Sequence, residues 1–220
     1  IVNFHVDKKE QEPGKTILRI QHLSVPSRIH KEKLAVKDVS LSVRKGEIVC
    51  LAGIEGNGQT EFVYALTGLA KASGGTILIN DRDITDVTIR ERSQSGISHI
   101  PEDRHKHGLI LDYPLDKDIV LQRYWQPEFE KKGFILKKNV TEYSDKLIEQ
   151  FDVRSSQGSK TIARSMSGGN QQKAIIAREL DKEHCFLIAV QPTRGLDVGA
   201  IEYIHKQIVA DRDKGAGVLL

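Results

Sequence analysis

The stretch EIVCLAGIEGNGQT, Glu47 to Thr60, decides the fold that we expect for this chain of 220 residues. A short apolar run there is followed by a glycine-rich turn and then by a helical pattern. Gly53, Gly56 and Gly58 let successive backbone N–H groups converge on one anion, and the start of the following helix adds its positive dipole end. The stretch therefore predicts a phosphate-binding loop, although a glycine-rich turn taken alone is often an ordinary loop.

The spacing follows the P-loop pattern G-x-x-x-x-G-K-[ST] except at one position. Gln59 stands where that pattern has the lysine that reaches the terminal phosphates, and Thr60 supplies the hydroxyl that follows it. The rest of the chain has to decide between a P-loop and a plain turn.

Length and composition narrow the class of protein. A chain of 220 residues fits one medium α/β domain with room for an inserted subdomain. The net charge of +3, with acids and bases interspersed, provides no basic stripe for nucleic acid. No apolar run approaches the ~18 residues of a membrane span. Cys50 and Cys185 lie inside apolar runs, which predicts two buried thiols in the reducing cytosol.

The first part of the chain alternates apolar and polar residues. Residues 1–15 are polar and contain Pro13-Gly14, which predicts a linker leading into a domain over 16–220. Residues 16–25 and 34–43 have the period of half-buried antiparallel strands. The more uniform run 48–52 is typical of a strand buried on both faces of a parallel sheet.

A different region opens after Pro101 and extends from Glu102 to about Ala163. Helical periodicity returns in DIVLQRYWQ and in TEYSDKLIEQFDV, which predicts an inserted helical subdomain, with a plain surface extension as the alternative. Tyr124 and Trp125 are consecutive and cannot face the same way on a helix, so at least one of them is available to a partner.

A second helix N-terminus that can bind an anion is predicted at SMSGGNQQK, Ser165 to Lys173. Ser167 is a natural N-cap, and the two glycines after it allow close approach to the backbone. Beyond it, residues 186–190 form an apolar strand that ends in QPTRGLD, residues 198–213 are helical, and GAGVLL begins another strand.

In this order, GIEGNGQT, SGGNQQK and QPTRGLDVGA resemble the nucleotide-binding domain of ABC transporters over nearly the whole chain. In detail they are similar to the second of two ATPase domains fused in the energy-coupling protein of bacterial monosaccharide and nucleoside importers. The resemblance implies an α/β P-loop NTPase fold with an antiparallel β-subdomain and an inserted α-helical subdomain at about 102–163. It also implies ATP and Mg²⁺ as cofactors.

The resemblance assigns roles to particular residues. The nucleotide loop would comprise Gly53, Glu55, Gly56, Asn57, Gly58, Gln59, Thr60 and Glu61. Thr60 would be the ligand of a weak Mg²⁺ site, Glu102 takes the Q-loop position, and Asp197 matches the D-loop aspartate. The signature loop, which acts on the nucleotide of a partner domain, would comprise Ser167, Gly168, Gly169, Asn170 and Gln171.

Several family residues are missing. Val190 and Gln191 fall where the family has a magnesium-coordinating aspartate and a catalytic glutamate, so no catalytic carboxylate is left. Replacing the lysine by Gln59 costs roughly 1–2 kcal/mol of phosphate binding, whereas a positioned carboxylate is worth about 10² to 10⁴ in rate. No aromatic residue between Val25 and Leu34 matches the adenine-stacking loop, and the switch histidine would lie beyond Leu220. The chain alone is therefore expected to be a weak or inactive ATPase.

The resemblance also implies partners and a location. The partners are a second ABC ATPase domain, fused or homologous, transmembrane permease subunits and, indirectly, a solute-binding protein, but no nucleic acid. Residues 102–125, with Arg104 and Lys106, are expected to face the permease, which places the chain peripherally on the cytoplasmic face of the membrane. Two alternatives remain: a non-hydrolysing ATP-sensing module, and a DNA-linked ABC ATPase, for which no coiled-coil or zinc insertion is visible.

Overall fold

The computed structural model describes residues 6–30 and 32–220, so the first five residues of the expected linker lie outside it. The strands are β1 Thr16–Pro26, β2 Leu34–Arg44, β3 Ile48–Val49, β4 Gly74–Ile79, β5 Arg82–Asp83, β6 Ile97–Ile100, β7 Glu130–Lys131, β8 Phe134–Ile135, β9 Phe186–Ala189 and β10 Gly217–Leu219. The helices are α1 Gln59–Thr67, α2 Ile89–Gln94, α3 Leu115–Val120, α4 Lys137–Gln150, α5 Gly168–Asp181 and α6 Val198–Asp213. Within the described ranges, no helix has the length and apolar character needed to cross a membrane.

The chain forms two compact units. The first contains the described residues up to 99, with 183–189 and 206–220, and the second contains residues 100–182 and 190–205. The predicted linker has no helix or strand over residues 6–15, yet it is held in place. The Gly14 N–H donates to the Lys45 carbonyl at 2.8 Å, and the Arg212 guanidinium donates to the Lys9 carbonyl at 2.7 Å.

The antiparallel sheet of the first unit has the order β2-β1-β4-β5. The alternating sequence of β1 correctly predicts a half-buried antiparallel strand, because β1 pairs antiparallel with β2 and β4 and turns one face inward. Leu18, Ile20 and Leu23 are at most 1% exposed. This sheet contacts α1, the helix that begins at the glycine-rich loop.

The second sheet of the first unit has the order β3-β10-β9-β6, with β3, β10 and β9 parallel. Its strand β9 is fully buried, as its apolar sequence predicts. The prediction for residues 48–52 is wrong in part, because the strand stops at Val49 and Cys50 is exposed. Among the described residues β3 has β10 as its one sheet neighbour, so an apolar run that is typical of a doubly buried strand lies at a sheet edge.

The second unit is mostly helical and contains α3, α4 and α5 with a small hairpin of β7 and β8. The helix predicted from DIVLQRYWQ ends at Val120, and turns follow it. Tyr124 is 43% exposed, in agreement with the expectation that one residue of the Tyr124–Trp125 pair faces solvent. The sequence did not predict the hairpin, whose strands are only two residues long.

Buried charges link α3 and α5 inside the second unit. The Arg178 guanidinium donates to the Gly108 carbonyl at 2.8 Å and to Glu179 Oε1 at 3.0 Å. The Asp118 carboxylate is fully buried and accepts from the Ile110 N–H at 2.8 Å. Burial raises the pKa of Asp118 to about 6, against the lowering effect of that hydrogen bond and of the Arg178 charge.

This raised pKa predicts a specific pH dependence of stability. The folded state holds a proton on Asp118 that the unfolded state releases above about pH 4, so the chain loses stability as the pH rises from about 4 to about 6. Asp118→Asn keeps the shape without the charge, and at about pH 8 it should raise the free energy of unfolding by about 2–3 kcal/mol. Urea unfolding of both proteins at several pH values checks this. A stability gain from Asp118→Asn that persists undiminished at about pH 4 would contradict the assignment.

Candidate functional site

The glycine-rich loop leads directly into α1, and two of its glycines have backbone conformations that other residues rarely adopt. Gly56 has φ 90° and Gly58 has φ 95°. A Cβ on Gly58 would lie 2.4 Å from the Ala35 carbonyl oxygen, so glycine is required where the loop passes β2. Residues 51–57 are exposed, and Gly58 is the N-cap of α1 without a side-chain cap. The N-terminus of α1 therefore retains backbone donors that an anion can use.

Gln59 is folded across this loop. Its Nε2 donates to the Ile54 carbonyl at 3.2 Å. The same nitrogen would be 2.0 Å from a Cβ on Gly53, so the amide lies directly against that glycine. Gln59 thus closes the loop on itself, where a lysine would offer a cation to a phosphate.

The residues present fit a triphosphate held by backbone donors, but they do not fit a complete magnesium site. Thr60 is half-buried at the start of α1 and offers one hydroxyl. Val190 has no oxygen in its side chain, and Gln191, with φ 43°, is exposed. Among the described residues no group of three or more His, Cys, Asp or Glu side chains could hold a metal ion.

The second predicted helix start has the local structure that its sequence indicates. Ser167 is the N-cap of α5, and its hydroxyl accepts from the Asn170 N–H at 3.4 Å and from the Asn170 amide at 2.9 Å. Asn170 Oδ1 in turn accepts from the Arg154 N–H at 2.9 Å. The Asn170 side chain therefore fixes both the serine hydroxyl and the segment before the loop.

Gly169 faces the start of α6. A Cβ at Gly169 would lie 3.4 Å from the Ala200 Cβ and 3.6 Å from Asp197 Oδ2, which leaves room for a methyl group and little more. Asp197 holds the start of α6 through a 2.9 Å hydrogen bond from the Ala200 N–H to Oδ1. The structure thus brings the predicted signature and D-loop residues together within the second unit.

A cavity of about 380 Å³ opens beside these two segments. One side of it is charged, since Lys173 donates to the Asp152 carboxylate at 2.6 Å and its ammonium lies 4.6 Å from the centre of the Tyr203 ring. That interaction with Lys173 lowers the pKa of Asp152. The cavity is lined by Asp152, Arg154, Ser167, Gly169, Asn170, Lys173, Asp197, Gly199, Ala200 and Tyr203.

Glu102, the residue at the predicted Q-loop position, forms an ion pair. Its Oε1 accepts from Arg194 Nη1 at 2.6 Å. Arg104 is half-buried and donates from Nη1 to the Arg194 carbonyl at 3.1 Å, while its Nη2 would lie 3.3 Å from a Cβ on Gly168. Arg104 therefore faces the signature segment, whereas Lys106 is exposed.

Sequence reasoning missed Arg194, Arg104 and His105 as parts of this arrangement. His105 Nε2 lies 2.9 Å from Gln171 Oε1, which connects the segment after Glu102 to the signature helix. The available signal was the basic run RHKH directly after the Pro-Glu-Asp turn. A run of charges usually indicates a solvated face, and nothing in the sequence places it beside residues more than sixty positions away.

Comparisons with known proteins agree with one another. The family model described as ABC transporter matches residues 36–194. The chain is 48% identical over 219 residues to the guanosine import ATP-binding protein NupO of Bacillus subtilis, and it covers 42% of that protein. It is 47% identical over 219 residues to the nucleoside import ATP-binding protein NupA of Lactococcus lactis, covering 43%. Both matches include 100% of this chain, which thus spans less than half the length of these relatives.

More distant relatives include the ribose import ATP-binding protein RbsA of Bacillus licheniformis, 33% identical over 97% of this chain and 41% of that protein. Among solved structures, the dimeric MJ0796, a bacterial ABC transporter cassette, matches with a TM-score of 0.75 and 19% identity over 92% of this chain and 86% of that one. The ADP conformation of MJ1267 matches with a TM-score of 0.73 and 22% identity over 93% and 80%. These likenesses confirm the expected P-loop α/β cassette fold with an antiparallel sheet and a helical part.

Proposed function

The chain belongs to the ABC transporter family, and from that premise we propose that it is the ATP-binding, energy-coupling part of an importer for a nucleoside or a simple sugar. Its location would be peripheral, at the cytoplasmic face of a membrane, on permease subunits served by a solute-binding protein. A nucleoside is the better candidate for the solute, because the nucleoside-importer relatives are 47–48% identical and the ribose-importer relative is 33% identical.

Within that role we infer an unequal division of labour with a second ATPase domain. The observation that carries the inference is the contrast between the two helix starts. At α5 the serine cap and both glycines are present, Gly169 lies beside Asp197, and Ser167 and Gly169 line an open cavity at this helix start. At α1 the cation is replaced by Gln59, which bonds its own loop.

The signature loop would act on a nucleotide that is held by the partner domain. The Ser167 hydroxyl and the N–H groups of Gly168 and Gly169 are donors at a helix N-terminus, where developing phosphate charge is stabilised. Such donors contribute only after the two domains close on each other, so their effect on hydrolysis is exerted in trans. The D-loop position, Asp197, would fix the start of α6 beside Gly169 by accepting a hydrogen bond from the Ala200 N–H.

The chain's own nucleotide loop would retain ATP rather than cleave it. Backbone donors remain for the phosphates, but no carboxylate stands at Val190 or Gln191 to position a water molecule or to complete a metal site. A bound Mg²⁺ ion would supply charge neutralisation of the phosphates, with Thr60 as its one side-chain ligand from this loop. Bound ATP would then serve as a cross-link between the two domains.

A first test uses the purified chain alone. We expect weak binding of Mg-ATP and no phosphate release above background, because position 59 lacks the lysine and positions 190 and 191 lack a carboxylate. The matched variant restores all three family residues, as Gln59→Lys, Val190→Asp and Gln191→Glu, and should bind ATP about tenfold more tightly. Robust turnover by the wild-type chain that Gln59→Ala abolishes would overturn the proposed inactivity.

The absence of the lysine at position 59 and of carboxylates at positions 190 and 191 is equally consistent with a non-hydrolysing ATP-sensing module, which is the main alternative. The two functions differ in one observable property. An energy-coupling half must support phosphate release by an active partner domain, whereas a sensing module dimerises on ATP without supporting turnover of any site.

A further inference from the structure

The hairpin of β7 and β8 carries the most exposed aromatic side chain of the residues that the structure describes. Phe134 is 76% exposed, and its neighbour Ile135 is 45% exposed. In the hairpin, Lys131 lies opposite Phe134 and Glu130 lies opposite Ile135. The tip thus presents two large apolar side chains to solvent next to a lysine.

The tip is preformed. The Leu136 N–H donates to the Phe129 carbonyl at 2.8 Å at the base of the hairpin. Phe129 is fully buried, and its ring centre lies 5.0 Å from that of Tyr143 on α4. The turn residues Lys132 and Gly133 have φ 55° and 84°, the positive pair of a tight two-residue hairpin turn. Exposure of Phe134 is therefore a property of an ordered element with a buried anchor.

The charges around the tip are mostly positive. Exposed lysines surround it: Lys131, Lys132, Lys137 and Lys138. The first three form no ion pair among the described residues, and Lys138 pairs only with Glu142, at 3.7 Å and largely exposed. The neighbouring carboxylates are engaged, since Glu130 accepts from the Gly133 N–H and Glu128 pairs with Arg123 at 3.5 Å.

We propose that this hairpin tip docks on an anionic lipid surface. Phe134 would enter the headgroup region, and the lysines, with Lys131 paired opposite Phe134, would contact lipid phosphates. Apolar area combined with basic charge is what holds peripheral elements on membranes. The four exposed lysines complement the phosphates of anionic lipids, and this charge complementarity favours a lipid surface as the occupant. The docking needs no nucleotide and is independent of the proposed ATPase role.

Cosedimentation of the full chain with lipid vesicles tests the proposal. The chain should bind vesicles of phosphatidylcholine mixed with phosphatidylglycerol, should bind phosphatidylcholine alone far less, and should be released by salt. Lys131→Gln and Lys132→Gln should each weaken binding about fivefold. Phe134→Ser should weaken it about tenfold, because the apolar side chain no longer leaves water.

Matched controls lie in the first unit. Ile29→Ser removes an apolar side chain that is 83% exposed, and Lys33→Gln removes an exposed charge. Neither variant should alter vesicle binding. Tip variants that bind anionic vesicles as well as the wild-type chain would overturn the proposal. A requirement for Phe134 in binding permease subunits in lipid-free detergent, with no effect on vesicles, would also overturn it and assign the tip to a protein partner.

Discussion

Under the proposed division of labour, Gly169→Asp should reduce phosphate release by the paired ATPase domains at least about 100-fold, although in that proposal the altered chain itself hydrolyses nothing. The new carboxylate would stand beside Asp197 Oδ2, which is 3.6 Å from the Cβ position of residue 169. It would also face the γ-phosphate that the partner presents, so like charges would oppose closure. The measurement is steady-state phosphate release by the assembled domains with their permease.

Two controls separate this effect from general damage. Gly74→Asp places the same residue at the exposed start of β4, where a Cβ meets nothing within 4 Å, and it should leave turnover unchanged. Gln59→Ala removes only a loop-closing hydrogen bond and should lower turnover a few-fold at most. A harmless Gly169→Asp together with a crippling Gln59→Ala would reverse the proposed division of labour.

Arg178→Met should lower the free energy of unfolding by about 3–5 kcal/mol. Arg178 is 4% exposed, and it neutralises Glu179, which is fully buried. Methionine fills similar space but leaves the Gly108 carbonyl without its 2.8 Å donor and Glu179 without its 3.0 Å partner. Lys182, at 2.9 Å from Glu179, remains and limits the loss.

Urea unfolding followed by the fluorescence of Trp125, in the same unit, measures this change. The exposed Arg82 provides the control, and Arg82→Met should shift the free energy of unfolding by less than about 0.5 kcal/mol. Equal effects of the two substitutions would show that the buried network does not stabilise the unit as described.

The parts of the fold that the sequence predicted correctly are set by local rules. The alternation of β1, the helix α1 after the glycine-rich turn and the serine cap of α5 each depend on residues within a few positions. The prediction of two buried thiols was wrong for Cys50, which is exposed, and Cys185 is only half-buried. Cys50 is exposed where β3 has already ended at Val49, and a local apolar run does not show where a strand ends.

Residues of the candidate site were predictable by motif, but their connections were not. The ion pair between Glu102 and Arg194 joins positions 92 apart, and the contact of His105 with Gln171 joins positions 66 apart. Only the fold brings them together. The β7–β8 hairpin was missed for a different reason, since two-residue strands are too short for any periodicity to be visible.

The central claim is that this chain keeps its own ATP intact while it completes the partner's site, and photolabelling tests that claim most directly. The assembled domains are allowed to turn over 8-azido-ATP labelled on either the α- or the γ-phosphate, and the label attached to this chain is counted. Equal α and γ label on this chain, with γ label lost from the partner, is the predicted result. Loss of the γ label from this chain would show that its own loop cleaves ATP and would contradict the account.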